Sequence, residues 1–365
     1  MTVRLLNRQD IDDAQWNSFL DNSPHNLIYA YSWYLDIVAP KWCAFIAENE
    51  AGWQAIMPVP LAKKWGFWVV KQPFFCQILG VFFRDNVKLK PEIFVNQLNR
   101  LQIGNSKDEI TNLDQQKIQL SRLQIGNSKD EITNLDQQNL DQQKISKLLE
   151  SAFKKQFRYV SIYAGQNLYS FDNQINTHIL NLDKPYERLL EGYNKDRKKN
   201  LKTGQNFGWE IEESDDIEPI IALFKNYHAN DIEGGVGGNA YRILRKLFSE
   251  LKKRKIVKLL YVSKNNQIEA GALFVVFKSR IIYLFNAATG LGRKKNARTV
   301  LIDSILQQYE NTNYVFDFES PEKESVVEFY ESFGTQRSTF SQLRYNDLPF
   351  PFKQIQNLRL ISKKQ

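Results

Sequence analysis

The sequence predicts a mixed α/β chain built from two related α/β units in tandem. Short strand-like runs alternate with helical patterns along the 365 residues, and the second half repeats the grammar of the first. One long polar stretch, residues 97–145, interrupts that pattern. The length suits two units, each able to bury a core of its own. The boundary is expected near 165–176, giving units at 1–175 and 176–346, with a helical C-terminal segment, 347–365, packing back on the first unit.

Residues 3–6 read as a strand and 10–20 as an amphipathic helix that opens on acids, which suit a helix N-terminus. The run YAYSWYLDIV (29–38) reads as a helix closed by Pro40. Strands are expected at 42–47, 54–58, 65–70 and 74–83, separated by glycine and proline, and again at 157–163. In the second half a strand at 177–182 leads into a helical pair at 186–205. A strand (209–213), a helix (217–228), a glycine-rich loop (EGGVGGN, 233–239) and a basic helix (240–254) follow. A three-strand meander (257–263, 268–277, 281–286) then gives way to GLGRKKNARTVLIDSILQQY, read as loop then helix. The order closes with a strand at 314–318, a helix at 323–333 and a strand at 338–345.

Within the polar stretch, RLQIGNSKDEITNLDQQ occurs at 100–116 and again at 122–138, and NLDQQ is doubled at 134–143. In each copy a glycine precedes S-x-x-E, a helix stop followed by a capping box, so each copy is expected to start a helix. The five-residue doubling turns the following helix face by about 140° at 100° per residue, so Leu135 and Leu140 leave the stripe of Ile145, Leu148 and Leu149. A repeat used for stacking would hold its phase; the duplication reads as one accommodated on the surface.

Two cysteines, Cys43 and Cys76, in apolar runs read as buried thiols, and three scattered histidines argue against a zinc site or a Ser-His-Asp triad. No signal-peptide core or membrane-length apolar run is present, so a cytoplasmic protein with no transmembrane segment is expected. Net charge is +8, and KDRKKNLK (195–202), KKRKIVK (252–258) and RKKNAR (293–298) hold fourteen of the 49 basic residues. Singly, such clusters are solvated helix faces; together they point to a phosphate-bearing partner.

Asp317 and Glu319 alternate with Phe316 and Phe318 on a strand, so both acids share one side. They are candidates for ordering or deprotonating an amine, or else a strand-end pair in solvent. The segment GLGRKKNA places glycines and cations before a helix, a phosphate-binding arrangement. Downstream, YVFDFES…VVEFYESFG resembles the closing part of the GNAT acyltransferase fold. With YNKDRKKNLK, NAATGLGRKKNA, DFES and the N-terminal YAYSWYLDIVAPKW, MPVPLAKKWG and KQPFFCQILGVF, the chain resembles the two-GNAT-domain Fem family, best an uncharacterised bacterial group of it. The resemblance covers nearly everything outside 97–145.

Fem enzymes transfer an aminoacyl group from aminoacyl-tRNA to a peptidoglycan precursor. The resemblance therefore implies an N-acyltransferase with no permanently bound cofactor, using acyl-CoA or aminoacyl-tRNA as co-substrate. It also implies a phosphate-bearing or tRNA partner and peripheral contact with a membrane-linked precursor. It assigns Arg197, with Lys198 beside it, to substrate phosphates; an exposed helix cation is the alternative. Arg293 and Asn296 match the pyrophosphate-binding turn, whose glycines are here Asn296 and Arg298, and Asn286 precedes that turn. Tyr330 stands where Fem enzymes carry the lysine of F-K-x-x-F-G. In coenzyme-A-dependent relatives a tyrosine on this helix is the general acid; packing beside Phe329 and Phe333 is the alternative. A non-catalytic Fem-like module binding a phosphate-bearing ligand is the rival reading.

Overall fold

The computed structural model describes residues 1–24, 27–85, 129–165, 173–229, 235–319 and 323–361. The first half contains β1 (Thr2–Asn7), α1 (Asp13–Asp21), α2 (Ser32–Val38), β2 (Trp42–Asn49), β3 (Gly52–Lys64), β4 (Phe67–Lys71), β5 (Phe82–Phe83), α3 (Lys129–Gln156) and β6 (Tyr159–Ala164). Next come β7 (Asn173–Asn181), α4 (Tyr186–Gly192), α5 (Lys195–Phe207), β8 (Glu210–Glu213), α6 (Glu218–Tyr227) and α7 (Gly238–Lys253). The chain closes with β9 (Val257–Lys264), β10 (Gln267–Phe277), β11 (Arg280–Ala288), α8 (Gly290–Lys294), α9 (Ala297–Gln308), β12 (Val315–Asp317), α10 (Glu324–Glu331), β13 (Gln336–Asn346) and α11 (Phe352–Ile361).

All strands join one 13-stranded mixed sheet, in the order β1-β2-β3-β4-β6-β13-β7-β12-β11-β10-β9-β8, with β5 on β3. Only β4–β6 and β11–β12 pair in parallel between named strands; the other pairs are antiparallel. Late in the chain, β13 lies between β6 and β7 and hydrogen-bonds to both. The mixed α/β expectation holds.

Three apolar clusters position the site. In one, α3 covers the first-half strands through Ile145, Leu148, Leu149 and Phe153. In the second, α5, α9 and α10 cover one face of the second-half sheet, through Leu201, Leu301 and Tyr330. The third joins the two halves: Trp16, Tyr29, Tyr34 and Leu35 from the first pack with Leu244, Leu247 and Ile282 from the second. Leu244, Leu247 and Leu251 recur at the spacing of one helix face, so α7 presents its apolar stripe to this shared core. C-terminal α11 stacks Phe352 on Trp65 of the β3–β4 turn at 5.5 Å between ring centroids.

Four elements differ from expectation. The start of GLGRKKNA, read as loop, is the short helix α8, because the Thr289 hydroxyl caps it by accepting from the Gly292 N–H at 3.0 Å. Residues 74–83 do not form one strand: Pro73 withholds an N–H, Phe75 (φ 57) and Gly80 (φ 144) leave extended geometry, and only Phe82–Phe83 pair as β5. Trp65 and Gly66, both at positive φ, are not strand but the two-residue turn of the β3–β4 hairpin. The 29–38 helix is interrupted at Tyr31 (ψ 139), leaving a 3-10 turn at Ile28–Ala30 before α2.

Helix α3 runs unbroken through the doubled NLDQQ. Leu140 is only partly buried while Ile145, Leu148 and Leu149 are enclosed, as the phase step requires. The doubled word is not wholly on the surface, however: Asp141 is fully buried and pairs with Lys144 at 3.6 Å. The first copy, 100–116, and the start of the second lie outside the described residues.

Candidate active site

The parallel pair β11–β12 is short. Arg280–Ile282 align with Val315–Asp317, and there the ladder stops. Glu319 turns into left-handed geometry (φ 62), whereas β11 continues to Ala288. Among the described residues no strand pairs with that edge of β11 beyond Ile282. The result is a split in the sheet, with carboxylates on one face and a cluster of tyrosines on the other.

On the face toward the first half, Asp317 is 3% exposed, which overturns the solvent-facing alternative. Its Oδ2 accepts from Arg280 Nη1 at 2.7 Å, and its Oδ1 accepts from Thr177 Oγ1 at 2.8 Å and from the Glu319 N–H at 2.9 Å. Gln77 Nε2 in turn donates to Thr177 Oγ1 at 3.1 Å. Because the Thr177 proton is committed to a carboxylate, its lone pair must face the Gln77 amide N–H. That leaves Gln77 Oε1 buried without a donor.

Glu319 keeps some residue surface, but its carboxyl group is packed round by protein. Burial pushes its pKa from 4.5 up to about 8, with a smaller upward push from Asp317 and an opposing hydrogen bond from Tyr29. The Tyr29 hydroxyl donates to Glu319 Oε1 at 2.6 Å. Desolvation and then Glu319 hold Tyr29 far above the ordinary phenol range, so it remains a donor. Cys76 is a buried free thiol, as expected, and burial with the Glu319 charge keeps it protonated.

The opposite face carries Tyr330 of α10, 4.9 Å from Phe318, 6.4 Å from Tyr283 and 6.1 Å from His178 between ring centroids. It also packs beside Phe329 at 5.9 Å, as the packing alternative expects. Burial holds its phenol above the ordinary range, and its hydroxyl makes no hydrogen bond among the described residues. Tyr283 Oη and His178 Nδ1 are also buried without partners. Of four such side-chain atoms among the described residues, the fourth being Ser23 Oγ, three surround this split. Buried polar groups are normally satisfied, so their concentration here singles out the split as the candidate site.

Arg197 is not an exposed cation. It is 6% exposed, donates to Ser332 Oγ at 2.8 Å and to Thr299 Oγ1, and lies 4.3 Å over the Phe329 ring. Desolvation, then the charge of Arg298, lowers its pKa to about 10. Arg298 lies over the other side of this region, 5.2 Å from the Phe329 centroid, and donates to Asn286 Oδ1 at 3.1 Å. The α4–α5 turn sits against the end of α10: a Cβ at Gly334 (φ 77) would lie 2.6 Å from Gly192 O. Thus Arg197, Arg298, Asn286 and Tyr330 converge.

Lys198, Arg293 and Asn296 do not join them. Lys198 is exposed and reaches Glu191 O at 3.0 Å. Arg293 is exposed on α8, and Asn296 caps α9 in left-handed geometry (φ 60). Gly204 of α5 lies against Lys295 O and Asn296 O, so the 195–202 and 293–298 clusters form one surface. The 252–258 cluster is separate and largely neutralised, with Lys252 on Asp215 (3.0 Å), Arg254 on Glu250 (2.9 Å) and Lys258 on Glu213 (3.2 Å).

A cavity of about 370 Å³ opens between the halves on the carboxylate face. Leu27, Ile28, Ile78 and Phe82 supply apolar wall, while Thr177 and Arg280 bring it to the Asp317 network. The sequence reading missed Tyr29, Gln77, Thr177, Arg280 and Tyr283 because only the tertiary fold brings them to the acids. Arg197 had a local signal: Arg197, Leu201 and Gly204 are spaced i, i+4, i+7 on the buried stripe of α5.

No protein-family model matches this sequence, and no curated protein matches it. Among solved structures, the chain is similar to FemX, with a TM-score of 0.57 and 11% identity over 97% of this chain and 99% of that one. It is also similar to a conserved protein of unknown function from Bacteroides thetaiotaomicron (TM-score 0.49, 10% identity, 92% and 98% covered). L-PGS from Bacillus licheniformis matches at TM-score 0.45 and 12% identity, over 96% and 97%. The chain therefore has the FemX fold, the architecture expected of two GNAT-like units in tandem.

Proposed function

We propose that this chain is an N-acyltransferase that moves an acyl or aminoacyl group from an activated donor to an amine. The observation that carries the reading is the placement of Glu319 and Tyr330 on opposite sides of the β11–β12 split. An acceptor amine enters from the cavity side, and its proton passes to the Glu319 carboxylate as nitrogen attacks the donor carbonyl. As the tetrahedral intermediate collapses, the leaving sulfur or oxygen takes a proton from Tyr330, which burial keeps in its protonated form. The edge of β11 without a strand partner offers backbone N–H groups for the oxyanion. Arg197, Arg298 and Asn286 hold anionic parts of the donor, and Asp317, fixed by Arg280 and Thr177, orients Glu319 through its backbone N–H.

The donor is an acyl-CoA or an aminoacyl-tRNA, and the surface formed by α5 and α8 suits either set of phosphates. FemX-like architecture favours an acceptor from the cell envelope, reached in the cytoplasm at the membrane surface; among the described residues no helix is long and apolar enough to cross a membrane. Transfer from radiolabelled acyl-CoA and aminoacyl-tRNA pools to a panel of amine acceptors tests this. RNA binding whose affinity falls steeply with salt identifies the tRNA donor, and salt-tolerant coenzyme A binding the other. Binding of either without transfer in the presence of amines would replace the enzyme reading with a Fem-like binding module.

A further inference from the structure

We propose that Tyr29, from the first half of the chain, is the positioning residue for Glu319, so that the base of the second half is completed by the first. This rests on Glu319 acting as the base. Glu319 follows β12, a strand of only three residues, in a left-handed conformation. Its backbone end is tied by the N–H bond to Asp317, and its carboxyl end is tied by the 2.6 Å bond from Tyr29.

Tyr29 is rigidly placed. It is 1% exposed in the 3-10 turn Ile28–Ala30, its ring meets Tyr34 edge-on at 5.7 Å, and Trp16 Nε1 donates to Ala30 O at 2.9 Å beside it. The titratable groups near the carboxyl are Tyr34 from α2, Cys76 from the segment after β4 and Asp317 from β12, with Tyr330 of α10 across the split. Tyr34, Cys76 and Tyr330 are held protonated by burial, and Asp317 is spoken for by Arg280. Tyr29 is thus the side chain that aims the Glu319 oxygens and strengthens its hold when the carboxylate forms.

The test replaces Tyr29 in the full chain with phenylalanine and, separately, with 3-fluorotyrosine, which keeps ring and hydroxyl but donates more strongly. The titration midpoint of Glu319 is read by carboxyl-carbon NMR on glutamate-labelled protein, with Glu319→Gln to assign the signal. The phenylalanine variant is expected to raise the midpoint by about one pH unit, the size of one lost hydrogen bond to a carboxylate, and the fluorotyrosine to lower it. The ascending limb of kcat against pH should move in the same order, with KM unchanged. A midpoint that neither substitution moves overturns the proposal. Midpoints that move as expected in a protein that transfers nothing support Tyr29's hold on Glu319 and overturn only the acyl-transfer reading.

Discussion

Replacing Glu319 with glutamine should make the protein more stable at high pH while abolishing its chemistry. Between pH 4.5 and about 8 the folded chain holds a proton on Glu319 that the unfolded chain has released. Folding therefore binds a proton across that window, and stability falls as pH rises through it, levelling off above the folded value. A carboxyl held at about 8 instead of 4.5 corresponds to about 5 kcal/mol once it is ionised, at 1.36 kcal/mol per pH unit. Glutamine keeps the shape and an oxygen for the Tyr29 hydroxyl, yet cannot ionise. Urea unfolding of both proteins should give similar stabilities at pH 5 and a glutamine variant ahead by several kcal/mol at pH 9. The amide also cannot take a proton, so transfer should fall by a factor on the order of 100 or more. A stability gap that stays constant from pH 5 to 9 would show that the carboxyl is not the buried acid described, and would refute the reasoning.

Tyr330→Phe removes a hydroxyl that bonds to nothing among the described residues, so the melting temperature should hold while kcat drops roughly 100-fold; equal kcat would remove Tyr330 from the mechanism. Arg197→Met loses the bonds to Ser332 and Thr299 and the contact with Phe329, costing about 2–3 kcal/mol in urea unfolding. The same variant should raise KM for the donor more than it lowers kcat. Deleting residues 100–121 restores a single copy of the repeat and keeps every described residue. Folding and transfer should be unchanged in urea unfolding and in the transfer assay, and loss of either would assign the duplication a function.

That the carboxylate pair and Tyr330 share one region was legible because their signals are short-range. Alternation with Phe316 and Phe318 set the acids apart, and the FYESFG helix identified the tyrosine. Tyr29 carried no such signal: 290 residues separate it from Glu319, and only the shared core brings them together. Arg298 read as the loss of a turn glycine, although the fold uses it as a cation beside Arg197. The run FFCQILGVF has the composition of a buried strand, and only the backbone shows that Phe75 and Gly80 break it and bring Cys76 and Gln77 to the acids. Burial of Arg197 was written in the apolar stripe of α5, where the high local charge masked it.

The lodging of β13 between β6 and β7 has a consequence for biogenesis. Until residues 336–346 leave the ribosome, β6 and β7 each present an edge with no neighbour, one from each side of a sheet that cannot yet close. The nascent chain therefore passes a long interval with two open strand edges, during which chaperone capture or pairing with another chain competes with completion. Truncations that stop short of β13 should aggregate even though every proposed catalytic group precedes it, because the shared core joins the halves but leaves both of these edges open.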